Sequence, residues 1–126
     1  AKKAVKPLKT GRGMALGDRH VGHGDSSFEL VLERDGTLRL LSGVGDQGVG
    51  AYTMHRQVVS ELLGVDPYSI RIEVGNTSNA PYDQGIKGAR GTHIEGQAVL
   101  RTANSLIAEL REAGHLGEVP IDPGPP

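Results

Sequence analysis

The sequence contains no cysteine, no tryptophan and few aromatic residues, and these absences narrow its chemistry. Without cysteine there is no disulfide, no thiolate ligand for a metal and no cysteine nucleophile. Aromatic residues make up only 3% of the 126 residues, too few for the base-stacking surfaces that bind single-stranded nucleic acid. The formal net charge of -1 gives no broad attraction to nucleic acid or to an anionic membrane. We therefore expect neither as a partner.

Long apolar runs are also missing. No stretch approaches the roughly 20 apolar residues that span a bilayer, and residues 1–13 (AKKAVKPLKTGRG) lack the apolar core of a signal peptide. These features predict a soluble, cytoplasmic chain. The length and a hydrophobic content of 37% suit one domain over residues 1–126. We expect irregular ends at residues 1–10 and 116–126, the latter because of the PIDPGPP tail.

Glycine, by contrast, is abundant, with 19 residues, and it concentrates in two segments that each precede a helix. We name residues 43–50 the first glycine loop and residues 75–91 the second glycine loop. Repeated glycine before a helix suits bare backbone N–H groups that approach an anion. Lys87 and Arg90 add cations suited to a diphosphate. The alternative for the first glycine loop is close packing against the helix that follows it. The alternative for the second glycine loop is a long surface turn before a well-capped helix.

Hydrophobic periodicity predicts the regular elements of the chain. Residues 28–33 alternate as a half-buried strand does, and residues 37–42 form its partner. Asp35 and Gly36 predict a tight turn with positive φ at both central positions. A further strand candidate covers residues 13–20, and residues 70–74 alternate again.

Two helices follow from apolar stripes spaced at helical intervals. The first helix ends at Gly64, and the second opens with Thr92 and Glu95 in the spacing of a capping box and ends at Gly114. The stripe of the first helix comprises Ala51, Met54, Val58 and Leu62, and that of the second comprises Val99, Ala103, Leu106 and Leu110.

The resulting order is β-β-β-α-β-α, which predicts an α+β (mixed α/β) fold with two helices packed on a mixed sheet. If the strands over residues 37–42 and 69–74 are parallel, both glycine loops leave the same edge of the sheet and converge. Such an edge resembles the ligand crevice at the carboxyl ends of strands, where helix N-termini face phosphate. Antiparallel pairing would separate the loops.

The histidines and serines give no catalytic or metal site. His20 and His23 lack a third ligand, so we interpret them as part of a surface turn. His55 and His93 fall in the first turns of the two helices, where we expect solvated side chains. No serine lies in a nucleophile-elbow motif.

Several motifs together carry a family resemblance. They are RGMALG (residues 12–17), the hairpin ERDGTLRLLSG, DQGVGAYTMHRQVVSELLGV and VGNTSNAPYDQGIKGARGTHIEGQAV. In order and spacing, residues 11–114 resemble a segment of the molybdopterin-binding subunit of the xanthine dehydrogenase and aldehyde oxidase (molybdenum hydroxylase) family.

The resemblance implies that both glycine loops bind a molybdenum-bearing molybdopterin, in its cytosine dinucleotide form. The implied contact residues are Gly48, Val49, Gly50, Ile86, Lys87, Gly88, Ala89 and Arg90. Val49 stands where many family members have glutamine, and Ala89 where many have serine. The contacts at these two positions are therefore expected to come from backbone N–H groups.

The resemblance also implies an oxidoreductase of which this chain is one part, inactive when isolated. The implied partners are the remainder of the molybdenum subunit and iron–sulfur and FAD subunits or domains. Glu118 follows the last helix too soon to match the family's catalytic glutamate, so no catalytic residue is assigned. The alternatives are a freestanding, non-catalytic anion-binding or interaction module of the same fold, and a structural fragment that self-associates.

Overall fold

The computed structural model describes residues 9–18 and 20–115. Two predictions therefore lie outside the described residues: the irregular C-terminal tail at residues 116–126, which includes Glu118, and most of the irregular N-terminal segment at residues 1–10. Within these, no helix combines the length and apolar character needed to cross a membrane. The strands are β1 (Phe28–Leu32), β2 (Leu38–Ser42) and β3 (Ile70–Val74), and the α-helices are α1 (Ala51–Leu63) and α2 (Gly96–Glu112).

The three strands form one mixed sheet in the order β1-β2-β3, which confirms the predicted fold class. β1 and β2 are antiparallel neighbours, whereas β2 and β3 are parallel. The parallel register sets Leu38 opposite Ile70 and Ser42 opposite Val74. Both strands therefore end at the same edge of the sheet, as parallel pairing requires, and α1 connects them.

Both helices pack on one face of the sheet through a shared aliphatic core. The fully buried side chains of Leu40, Val59 and Val99 join the central strand to α1 and α2. The buried residues of α1 are Ala51, His55 and Val59, so its inner face is rotated from the predicted stripe, whose Met54, Val58 and Leu62 are half-buried. A polar residue, His55, lies within the buried face, and hydrophobicity alone could not reveal it.

The hairpin between β1 and β2 differs in detail from the prediction. Only Gly36 has a positive φ, of 86°. The Gly36 N–H donates to the Glu33 carbonyl oxygen, and the Glu33 N–H donates to the Thr37 carbonyl oxygen. This is a type I turn followed by one left-handed glycine, rather than two left-handed residues. The predicted strand at residues 13–20 is also wrong, since its described residues have no regular structure.

The start of the last helix departs most from expectation. A π-helical turn, Gly91–Glu95, precedes α2, and no side chain caps either segment. The capping-box prediction is therefore wrong: Thr92 is exposed, and Glu95 is fully buried and faces α1. A π-turn changes the direction of the side chains that precede the helix, and such turns are frequent at functional sites.

Candidate functional site

Both glycine loops begin at the same sheet edge and touch each other there. Gly75 N–H donates to Ser42 O at 3.0 Å, which extends the parallel ladder one step beyond β2 and β3. At Gly43, a Cβ atom would overlap the carbonyl oxygen of Pro81. The first residue of one loop thus packs directly on the backbone of the other, and this approach is possible only for glycine.

The first glycine loop folds around Asp46. One carboxylate oxygen, Oδ1, accepts hydrogen bonds from the backbone N–H groups of Gly48, Val49 and Gly50, at 2.8, 3.0 and 3.2 Å. Gly48 and Gly50 have φ values of 89° and 76°, which lets consecutive amides point to one side. The backbone N–H groups that the sequence analysis assigned to an anionic ligand therefore donate to the protein's own carboxylate.

The electrostatics of Asp46 predict a pH-dependent loop. Desolvation raises the pKa of this carboxyl, but the N–H donors of Gly48, Gly50, Tyr52 and Val49 together outweigh it, so the pKa is lowered from 3.8. A carboxyl whose pKa is lower in the folded state adds stability that is present above pH 3.8 and is lost as the pH falls through the pKa of the folded state.

We therefore expect Asp46→Asn to lower the midpoint of urea unfolding at neutral pH, and the difference from the original chain to close well below pH 3.8. A difference that persists in acid would contradict this role. Asp18→Asn, at an exposed position outside both loops, is the matched control.

The second glycine loop is held against the segment before β1, residues 22–27. Gly22 N–H donates to Gly88 O at 2.5 Å, and Ser27 N–H donates to Tyr82 O at 3.0 Å. Between them, Ser26 pairs with Asp83 through a backbone bridge and a short side-chain hydrogen bond. Residues far apart in sequence therefore shape the loop, and the loop is a supported element rather than a free surface turn.

Arg90 is the largest fully buried side chain among the described residues. Its Nη1 donates to Gly85 O at 2.9 Å, and its Nη2 donates to Asp25 O at 2.6 Å. The Asp83 carboxylate lies 3.6 Å from Nη1, with both side chains fully buried. The guanidinium therefore faces inward and joins the second glycine loop to residues 22–27.

The remaining predicted residues of this loop are exposed or half-buried. Lys87 and Ala89 are exposed, whereas Ile86 and Gly88 are half-buried. Ala89 has a φ of 55°, the left-handed region that costs a residue with a Cβ about 1–2 kcal/mol. Lys87 is thus the cation of this loop that a ligand can reach from solvent.

The two loops are joined a second time just beyond their ends. His55 Nε2 lies 3.3 Å from Glu95 Oε2, and both side chains are fully buried. His55 belongs to the first turns of α1 and Glu95 to the π-turn before α2. The expectation of a solvated His55 is therefore wrong, whereas His93 is exposed as expected.

Sequence reasoning missed Asp46, Asp83 and the His55–Glu95 pair. Asp46 had a signal, since aspartate two residues before a glycine often caps the following amides. Asp83 had the same local signal, since Gly85 N–H donates to its Oδ1. Its contact with Ser26 and that of Glu95 with His55 had none, because these partners lie far away in the chain. Only the folded arrangement identifies them.

Comparison with known proteins shows which proteins the chain resembles. The sequence model of the molybdopterin cofactor-binding domain matches residues 1–122. The carbon monoxide dehydrogenase large chain of Hydrogenophaga pseudoflava is 35% identical over 94 residues, 74% of this chain and 12% of that protein. A putative xanthine dehydrogenase molybdenum-binding subunit of Escherichia coli (strain K12) is 33% identical over 71% of this chain and 12% of its own length.

A solved structure agrees with these sequence matches. Reconstituted CO dehydrogenase from Oligotropha carboxidovorans superimposes with a TM-score of 0.65 at 32% identity, covering 70% of this chain and 11% of that one. The chain therefore spans about an eighth of the length of these relatives, as their coverage of 12% shows. The matches confirm the family resemblance, and the chain belongs to the molybdopterin cofactor-binding domain family of the molybdenum hydroxylase large subunits.

Proposed function

We propose that this chain forms one wall of a molybdopterin site in a molybdenum hydroxylase. The observation that carries the proposal is the parallel register of β2 and β3, which starts both glycine loops at one sheet edge. Ligands of open α/β sheets bind at such edges, outside the carboxyl ends of the strands. When bound, the cofactor would supply the redox-active metal, and the protein would supply binding and orientation.

Among the described residues, the backbone of both glycine loops and the ammonium group of Lys87 fit this role. A Cβ at Gly48 or Gly50 would meet nothing within 4 Å, so the space beside the first glycine loop is open. In the second loop, Lys87 offers an exposed ammonium group, and Gly88 and Ala89 adopt left-handed backbone with φ of 57° and 55°. These features suit an anionic group lying close to the main chain.

The eight residues implied by the resemblance would contribute differently. Gly48, Val49 and Gly50 would contact the cofactor through backbone atoms other than their N–H groups, because these N–H groups already donate to Asp46. Ile86, Gly88 and Ala89 would contribute backbone contacts, and Lys87 a charge. Arg90 would act through the loop conformation that its buried guanidinium maintains.

Cofactor retention tests the proposal. The chain is produced in a host that makes molybdenum cofactor, together with any subunits encoded beside it, and bound molybdenum and pterin are measured per chain. We expect Lys87→Glu to lower both about tenfold or more, because it replaces a charge-assisted contact with repulsion. Lys9→Glu, an exposed lysine outside both loops, is the control and should change neither. Equal retention in the two variants would contradict the proposed role of the second loop.

Titration with cytidine diphosphate separates the two candidate functions. This probe carries the nucleotide and diphosphate of the cytosine dinucleotide form that we propose. Amide resonances that shift in both glycine loops, together with retained molybdenum, support the cofactor role. Shifts without any retained molybdenum favour the freestanding anion-binding module, and an absence of shifts in either loop contradicts both.

The wider assignment remains part of the proposal. It extends to an oxidoreductase activity, the remainder of a molybdenum subunit, iron–sulfur and FAD partners and a cytoplasmic location, and it is supported by the resemblance to relatives of which this chain covers 12%. The chain's own contribution would be confined to the cofactor wall.

A further inference from the structure

We propose that His55 and Glu95 are a buried positioning pair that sets the spacing between the two glycine loops. The inference deepens the proposed function, because this spacing would decide whether one cofactor can contact both loops. The spacing between the loops is a property of the protein alone and can be measured without any cofactor.

The placement of the pair supports this role. His55 lies shortly after Gly50, at the end of the first loop, and Glu95 lies the same number of residues after Arg90 in the second. The first residue of the first loop, Gly43, already packs on Pro81, which lies before the proposed ligand-binding residues of the second loop. The 3.3 Å contact between Nε2 and Oε2 joins the elements into which both loops lead. Each loop is therefore tied to the other before and after its proposed ligand-binding residues.

The chemistry of the pair indicates positioning rather than maximal stability. Both side chains are fully buried, and no hydrogen bond within the described residues reaches the nitrogens of His55 or the carboxylate oxygens of Glu95. The edge of the Phe28 ring, 4.8 Å from His55 between centroids, provides an apolar surrounding. A buried polar or ionic pair without further hydrogen bonds commonly adds no stability over an apolar pair of similar volume, but it can specify one arrangement.

The π-turn adds a second, independent observation. Gly96 N–H bonds back to Gly91 O, so Glu95 closes the π-turn and directs its side chain to α1. The local backbone thus departs from ideal helix geometry at the residue that pairs with His55.

The test measures loop spacing in the cofactor-free chain. Because the sequence has no cysteine, Val49→Cys and Lys87→Cys can carry spin labels, both at exposed positions. In this background we compare the original pair, the apolar pair His55→Leu with Glu95→Met, and the exchanged pair His55→Glu with Glu95→His. We expect the apolar pair to keep the thermal midpoint while at least doubling the width of the label-to-label distance distribution, and the exchanged pair to restore a narrow distribution.

Two results would overturn the inference. One is an unchanged distance distribution in a folded apolar pair. The other is loss of the folded state in that variant, which would assign the pair to global stability instead. Glu95→Gln, which keeps the shape of the side chain and replaces its carboxyl group with an amide, should broaden the distribution as the apolar pair does, and a narrow distribution would again count against the inference.

A cofactor measurement on the unlabelled variants connects the pair to the proposed function. We expect the apolar pair to retain less molybdenum than the original chain, and the exchanged pair to recover it. If no variant, including the original chain, holds molybdenum, the proposed function fails while the distance measurement still decides the role of the pair.

Discussion

Replacing Arg90 with alanine should lower the free energy of unfolding by about 3–5 kcal/mol, because the groups around the buried cation would lose their partner. The variant leaves the carbonyl oxygens of Gly85 and Asp25 without their donors, at a site where the Asp83 carboxylate is also buried. Domains of this size are stable by only about 5–15 kcal/mol in total. The expected loss is therefore a large part of the whole stability.

Urea titration followed by circular dichroism measures this loss. Lys87→Ala, an exposed cation in the same loop, is the matched control and should stay within about 0.5 kcal/mol of the original chain. Arg90→Lys should fall between them, since an ammonium group cannot reproduce the two-nitrogen contact of a guanidinium. If Arg90→Ala behaves like Lys87→Ala, the guanidinium does not hold the loop as described.

Gly43→Ala should be the other strongly destabilising change, with an expected loss of about 1–3 kcal/mol from overpacking. The added methyl group would overlap the carbonyl oxygen of Pro81, which is backbone and cannot rotate away. One of the two loops must therefore shift at the point where they touch.

Gly45→Ala provides a close control for this effect. Gly45 lies in the same loop, has no positive φ, and a Cβ there would meet nothing within 4 Å. Its replacement should be neutral or stabilising by up to about 1 kcal/mol, through the unfolded chain. Equal thermal midpoints for the two variants would show that the loops do not touch at Pro81.

The sheet and its loops could be predicted from the sequence because their signals are local. Alternation over residues 28–33 and 70–74, and the helix end at Gly64, each depend on neighbouring residues, and the structure contains a strand or a helix end in each place. The strand–helix–strand order left the direction of pairing between β2 and β3 open, and the structure shows that they are parallel. The hairpin type was less accessible, since it depends on which residues become left-handed.

The roles of the charged residues could not be predicted, because they depend on distant parts of the chain. Arg90 looked like a diphosphate ligand among its neighbouring glycines, yet it donates to the carbonyl of Asp25. Glu95 matched a capping box by spacing, but a buried histidine on another helix faces it. A local motif shows which residue types are present, and tertiary packing decides whether they face a ligand or the interior.

The strap of residues 22–27 across the second glycine loop defines how small a working piece of this protein can be. Among the described residues the first strand starts at Phe28, but Gly22 and Asp25 supply groups on which the loop depends. A truncation designed on the strands alone would retain the sheet and both helices while removing the outer support of the loop. The minimal unit that could carry this loop into another protein therefore begins upstream of the first strand.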